Sequence, residues 1–313
     1  MSQNDLPTRV RICEEGPREG FQSEPPGIDT SAKIALIETL AQTGLRDIAC
    51  CSFVSSAQVP QMADAELIAG GISKRPEVRY TGLWLNRAGF ARARATPLDL
   101  TGLVVASASE TFGIRNNRRD RASMIVSQTE LMEDYREAGV TSFAAYVFTA
   151  FGCNFEGAID PALVIRGVED LLSIAPAPEV VYLCDTIGSA TPPMVERLVD
   201  MVRSRWPDLP LGLHLHDTRG LGIANAMAAL HLGVARFDTS IGGLGGCPFA
   251  GNPAAAGNLC TEDLAYLCAE LGIDTGLDLA ALIEAAKLAE RVVGHPLPGK
   301  LKHVGVLGRT AAH

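Results

Sequence analysis

The sequence predicts an α/β protein built as a (β/α)8 TIM barrel with a short C-terminal helical extension. Three observations carry this prediction. Eight short runs rich in Val, Ile, Leu and Phe begin about every 32 residues, segments with apolar residues at helical spacing lie between them, and no GxGxxG follows the first run. A strand-helix repeat of that length matches one βα unit, whose crossover requires parallel strands. Eight uninterrupted units close most naturally into a barrel. A doubly wound sheet would usually show five or six strands and a glycine-rich phosphate loop after the first.

In chain order the strands fall at 10–15, 47–52, 79–85, 100–106, 141–147, 180–184, 211–216 and 236–240. Helical periodicity appears at 32–43, where Ile34, Ala35, Ile37 and Leu40 carry it, and again at 123–137, 161–174, 193–203 and 223–232. A glycine-rich loop follows the eighth strand. It leads into a helix beginning near Thr261-Glu262-Asp263, a second helix around 279–292, and a Lys-containing tail expected to be a cap or an oligomer contact. The expected organisation is one domain over 1–313, with the barrel at about 8–275 and the helix and tail at about 276–313.

Composition narrows the function classes. The chain has 27 Lys and Arg against 36 Asp and Glu, a formal net charge of −9, and is 47% hydrophobic and 20% charged. That balance excludes a disordered chain and permits a large core. It argues against partners such as nucleic acid or an anionic membrane, which need clustered basic residues, and leaves anionic small molecules open. The eight cysteines show no CxxC pair, fall mostly in apolar segments and follow no signal peptide, so a reduced cytoplasmic protein is expected. The uncharged stretches 138–155 and 239–261 are interrupted by polar residues and by Gly and Pro, which argues against transmembrane helices.

In such barrels the working residues sit at the C-terminal ends of strands. The first strand ends in Glu14-Glu15-Gly16-Pro17-Arg18-Glu19-Gly20, the sixth in Cys184-Asp185-Thr186 and the seventh in His214-Leu215-His216-Asp217. His214 and His216 are two apart on a strand and so share a face. With Glu19 or Glu15 and a side-chain carbonyl such as that of Asn258 they form a mixed N/O set suited to Mg2+ or Mn2+; two hydrogen-bonded core histidines are the alternative. Cys247 lies in a glycine-rich loop able to close over the mouth, where a thiol can move a proton; otherwise it is a small apolar residue. Arg18 has the planar guanidinium to polarise a carbonyl or hold a carboxylate, or it forms a surface salt bridge. Asp185 is a proton acceptor, an orienting group or a cap on the next helix. The run from Arg115 to Arg121 reads as a solvated loop able to meet an anionic ligand.

Glu14-Glu15-Gly16-Pro17-Arg18-Glu19-Gly20-Phe21-Gln22, Ser52-Phe53-Val54-Ser55, Val59-Pro60-Gln61-Met62, Asp185-Thr186-Ile187-Gly188, His214-Leu215-His216-Asp217-Thr218, Gly243-Leu244-Gly245-Gly246-Cys247-Pro248 and Gly257-Asn258-Leu259-Cys260-Thr261-Glu262-Asp263 together resemble the 3-hydroxy-3-methylglutaryl-CoA lyases. The resemblance runs from about residue 8 to 290, with the motifs in the family's order. It implies a DRE-type metallolyase barrel that cleaves a 3-hydroxy acyl-CoA to acetyl-CoA and a keto acid, acetoacetate for the parent substrate. It implies His214, His216, Asn258 and Glu19 as ligands of a divalent cation, Arg18 as the group stabilising the enolate, Cys247 in proton transfer and Asp185 at the mouth as a candidate base. A homodimer is also expected from the resemblance.

Several positions depart from the family pattern. Glu19 stands for an Asp, Ala49 for a functional Glu, Arg219 for a Tyr and Tyr182 for a small polar residue, and the loop from Cys247 to Asn258 is two residues longer. Two alternatives follow from these departures. Arg219 suggests an aldolase or Claisen-type condensing enzyme acting on a 2-oxo acid, and Ala49 suggests a catalytically weak barrel kept for ligand binding.

Overall fold

The structure, a computed structural model, describes residues 6–246 and 257–307. Eight strands are present: β1 (Arg11–Glu14), β2 (Asp47–Ser52), β3 (Arg79–Leu83), β4 (Gly102–Ser107), β5 (Phe143–Phe148), β6 (Val180–Cys184), β7 (Leu211–His214) and β8 (Arg236–Thr239). Around them lie α1 (Thr30–Leu40), α2 (Ala65–Gly71), α3 (Arg87–Arg94), α4 (Glu110–Asn117), α5 (Arg121–Glu137), α6 (Pro161–Ile174), α7 (Pro192–Arg205), α8 (Gly222–His231), α9 (Thr261–Glu270), α10 (Leu279–Val293) and α11 (Leu301–Val304). Local chemistry starts several helices. Asp29, Asp120, Asp160 and Asp278 each accept a hydrogen bond from a backbone N–H in the first turn of α1, α5, α6 and α10, and a proline opens α6 and α7.

The strands pair in parallel, in the order β3-β2-β1-β8-β7-β6-β5-β4, and curl into a barrel. The predicted order of elements therefore holds, with strand ends moved by at most two residues and β2 and β6 unmoved. β7 stops at His214, earlier than expected, because His216 pairs instead with Asn258 in an isolated antiparallel bridge. The arginine-rich run differs more. Arg115 lies in α4, Arg118 takes a left-handed conformation (φ 56°) that ends that helix, and Arg121 opens α5, so only the short connection between them is loop.

Among the described residues no ladder joins β3 to β4. The edge of β4 is instead satisfied by side chains of α5. The Tyr135 hydroxyl donates to Leu103 O (3.1 Å) and lies 3.2 Å from Leu103 N–H, while Gln128 Oε1 accepts from Val105 N–H at 3.0 Å. Trp84, just past β3, donates its indole N–H to the same Tyr135 oxygen at 2.5 Å. Beneath this seam Arg79 reaches from β3 to Asp47 (2.8 Å), Ser142 (3.2 Å) and Glu179 (3.3 Å), and Arg11 holds the other side of Asp47, so ion pairs close the N-terminal end.

The main core lies between strands and helices, where Ile12, Ile48, Val104, Val181, Leu213 and Phe237 meet helix residues such as Leu36, Leu131, Val168 and Val199. Inside the barrel Tyr146 and Tyr182 stack with ring centroids 4.7 Å apart. Gly212 on the neighbouring strand is needed there, since a Cβ would lie 2.5 Å from the Tyr182 ring. The tail after α10 packs back on the barrel, burying Leu297, Leu301 and Lys302, whose ammonium donates to Leu297 O and Gly299 O. It acts as the cap that the sequence allowed.

Tyr135→Phe removes the hydroxyl that joins Trp84 to β4 and leaves buried backbone and indole groups unpaired. Urea unfolding should show a loss of about 1–3 kcal/mol, with the m-value unchanged.

Candidate functional site

The site begins with the alternation of side chains at the end of β1. Ile12 and Glu14 face the helices, and Cys13 and Glu15 face the lumen. Glu14 is fully buried and accepts three hydrogen bonds, from Gly16 N–H (2.8 Å), Ile241 N–H (2.8 Å) and the Thr261 hydroxyl (2.6 Å). Burial pushes its carboxyl up to about 8 against the pull of those three donors. Gly16 must lack a side chain, because a Cβ would sit 2.6 Å from Glu14 Oε1. The chain then makes one π-helical turn, Gly16–Gly20, which carries Arg18 and Glu19 back over the mouth.

Arg18 is no surface salt bridge. Its side chain is 13% exposed, its Nε donates to Glu15 Oε2 at 2.6 Å, and its Nη1 lies 2.8 Å from Glu19 Oε2. Burial disfavours the guanidinium charge, but Glu15 and Glu19 outweigh it and hold the charge firmly in place. For Glu15 the balance differs: burial outweighs Arg18 and lifts its carboxyl to about 7. Glu19 is also opposed by burial, yet Arg18 and His214 together pull its carboxyl well below the ordinary range. Read from the residues alone, Glu15 and Glu19 are both candidates for a metal carboxylate, and the family resemblance points to Glu19. The structure separates them, with Glu15 on the arginine and Glu19 on both the arginine and the histidines.

His214 and His216 direct their Nε2 atoms toward each other at 3.3 Å, and Glu19 Oε1 lies 3.4 Å from the first and 3.1 Å from the second. Burial opposes the His214 charge, but Glu19 and Asp238 raise the imidazole to about 10. The His214 Nδ1 side faces the buried carboxylate of Asp238 at 3.1 Å, the arrangement that orients a metal-binding imidazole. Asn258 stands opposite His216 across the antiparallel bridge, so both project to the same side. It is 2% exposed, and neither polar atom of its side chain has a hydrogen-bond partner in the described structure. An amide so buried and unsatisfied, next to a carboxylate and two imidazoles, fits the donor set of a divalent cation.

The remaining predicted residues fall as follows. Asp185 is buried beside His216; one oxygen accepts from Ser189 N–H (2.7 Å) and Ala190 N–H (3.1 Å), and the other has no hydrogen-bond partner among the described residues. Those donors precede the N-cap of α7, Thr191, so Asp185 shapes a turn and does not cap the helix. Burial raises its carboxyl. Arg219 donates through Nη1 to the carbonyls of Ile187 (2.7 Å) and Gly188 (2.9 Å), which ties two loops together. Cys247 lies outside the described residues. Asp238 was not among the predicted site residues, although the signal was present: an Asp on the last strand, in register with His214.

Two imidazoles, a carboxylate and a buried guanidinium at the C-terminal mouth of a parallel barrel are the groups with which a class of enzymes stabilises a developing oxyanion beside a divalent ion. Comparison with known proteins narrows this class: the chain belongs to the HMGL-like family, whose profile matches residues 9–289. It is 38% identical to the hydroxymethylglutaryl-CoA lyase of Bacillus subtilis over 294 residues, covering 94% of this chain and 96% of that one. It is 38% identical to the (R)-citramalyl-CoA lyase of Chloroflexus aurantiacus over 306 residues, covering 95% of each. An HMG-CoA lyase from Acinetobacter baumannii, solved with coenzyme A and 3-methylmalate, superposes with a TM-score of 0.87 at 39% identity, over 100% of this chain and 99% of that one. The family is one of metal-dependent lyases acting on CoA thioesters.

Asp238→Asn keeps the shape of its side chain and removes the charge that orients His214. Competition titration with a chelating indicator should show Mn2+ affinity reduced by about 10–100-fold.

Proposed function

We propose that this chain cleaves the carbon–carbon bond of a 3-hydroxy-3-methylglutaryl-CoA-like 3-hydroxy acyl-CoA, giving acetyl-CoA and a keto acid. The observation that carries this reading is Arg18, buried between Glu15 and Glu19 and joined through Glu19 to the His214–His216 pair. The reaction needs a group that takes the tertiary hydroxyl proton and a fixed positive charge where the thioester oxygen becomes an enolate. Both needs have a counterpart at this mouth.

Glu19, His214, His216 and Asn258 would hold the cation. A bound Mg2+ or Mn2+ supplies Lewis acidity toward the hydroxyl and carboxylate oxygens of the substrate. Asp185, with one buried oxygen unpaired and its carboxyl raised by burial, takes the hydroxyl proton as the bond breaks and the keto product forms. The electron pair passes to the departing acetyl-CoA carbon and its thioester oxygen, where Arg18 places its charge. Cys247 then returns a proton to that carbon, a role carried by the family resemblance. Among the described residues the seven cysteines are all free, and no helix is long and apolar enough to cross a membrane; we place the protein in the cytoplasm.

The test is a cleavage assay. Protein loaded with Mg2+ or Mn2+ is incubated with 3-hydroxy-3-methylglutaryl-CoA, (R)-citramalyl-CoA and other 3-hydroxy acyl-CoAs, and products are read by mass spectrometry. Acetyl-CoA and the matching keto acid should appear with at least one substrate, and cleavage of none of them overturns the reading. Arg18→Lys keeps the charge but loses the planar fork, and kcat should fall by about 100- to 1,000-fold with the metal retained.

A further inference from the structure

We propose that Glu15 is the positioning residue for Arg18, the carboxylate that holds the guanidinium in its working orientation, and that Ala49 provides the space in which it does so. The proposal rests on the lyase reading above, in which Arg18 faces the enolate oxygen.

Strand register brings the two residues near each other. Cys13 pairs with Asp47 and Glu14 with Ile48, the last pair before β1 ends; Glu15 and Ala49 are the residues that follow that pair on the two strands. Both face the lumen, since the alternation that sends Ile48 into the main core turns Ala49 away from it; Ala49 is buried yet takes no part in that core. Neighbouring strands lie about 4.8 Å apart, so a longer side chain at 49 would enter the space of the Glu15 carboxylate. A second carboxylate there would also set two like charges opposite each other. Alanine at 49 and glutamate at 15 are therefore one arrangement. The carboxylate that the family pattern leads one to expect on the second strand is supplied here from the first.

The two carboxylates on Arg18 have different duties. Glu19 also lies against both histidines, so its position is set jointly with theirs. Glu15 takes the Nε edge of the guanidinium, and among the described residues its other oxygen accepts a hydrogen bond from Cys13 Sγ, at 3.7 Å. Bracing the strand end falls to Glu14, on the opposite face. Among the described residues Arg18 is thus the one ion-pair partner of Glu15, with Cys13 and Asp238 as its further polar neighbours. A guanidinium held along its Nε edge keeps a fixed plane, which is what an oxyanion donor requires.

The experiment compares Glu15→Gln, Glu15→Ala and the double variant Glu15→Ala/Ala49→Glu by steady-state cleavage kinetics, metal content and NMR of the Arg18 Nε–H. That signal is assigned by its loss in Arg18→Lys. Glu15→Ala should lose about 100-fold in kcat while KM and metal content stay within about threefold of the parent. The Nε–H signal, slow to exchange in the parent, should pass into fast exchange with water. Glu15→Gln, which keeps the packing, should lose kcat in the same direction. Moving the carboxylate to position 49 should recover about tenfold or more in kcat and restore the protected signal. Unchanged kcat in both single variants, a loss that tracks metal content, or a double variant no better than Glu15→Ala overturns the proposal. Should the parent cleave none of the acyl-CoAs, the lyase reading fails separately, and the NMR comparison alone decides whether Glu15 holds Arg18.

Discussion

The mouth of the barrel depends on a carboxylate that faces away from it. Glu14 ties its own strand end to Ile241, after β8, and to Thr261, at the start of α9. A carboxylate without water is costly unless its lone pairs are filled, and three donors fill them here. The same contacts fix where the polypeptide leaves β1, hence the turn that returns Arg18 and Glu19 over the lumen. Thr261 extends the brace, since its hydroxyl also lies 2.6 Å from that of Thr239.

Inward from that brace, charge is arranged in layers. Ion pairs among Arg11, Asp47, Arg79 and Glu179 fill the N-terminal end, and the stacked Tyr146 and Tyr182 lie in the lumen above them. At the mouth Glu15, Glu19, Asp185 and Asp238 gather around one arginine and two histidines. Four carboxyl groups and one permanent cation form an environment that favours a further positive ion, and the unsatisfied amide of Asn258 adds a neutral oxygen donor. In the function proposed above an anionic thioester is met locally by Arg18, so the acidic character of the whole chain is no obstacle to it.

The order of strands and helices was legible because a parallel barrel imposes one period on its sequence, and β2, β6 and α6 fall where that period puts them. The proposed metal set was visible for a similar reason, since two histidines at strand spacing at the end of β7 and carboxylates at the end of β1 open on the same mouth, with β8 between them. What stayed hidden depended on tertiary neighbours. Arg18 could be surface or buried until Glu15 was seen to meet it. Arg219 looked free because its partners, the carbonyls of Ile187 and Gly188, are backbone atoms that leave no mark on composition. Asp238 gains meaning only from its register with His214. The arginine run looked like a loop since its charge density masked two helix ends separated by a left-handed residue.

The seam between β3 and β4 lies opposite the strands that build the site. Every strand that supplies the mouth with Arg18, Glu19, Asp185, His214 or Asp238 lies in the middle of the continuous ladder, in the order β1-β8-β7-β6, with two strands on either side before the break. Across the break, a phenol, an indole and an amide do the work that backbone pairing does elsewhere. Fewer bonds cross here than in a ladder, and the crossing lies on the far side of the ring from the strand ends that carry Arg18, Glu19, Asp185, His214 and Asp238.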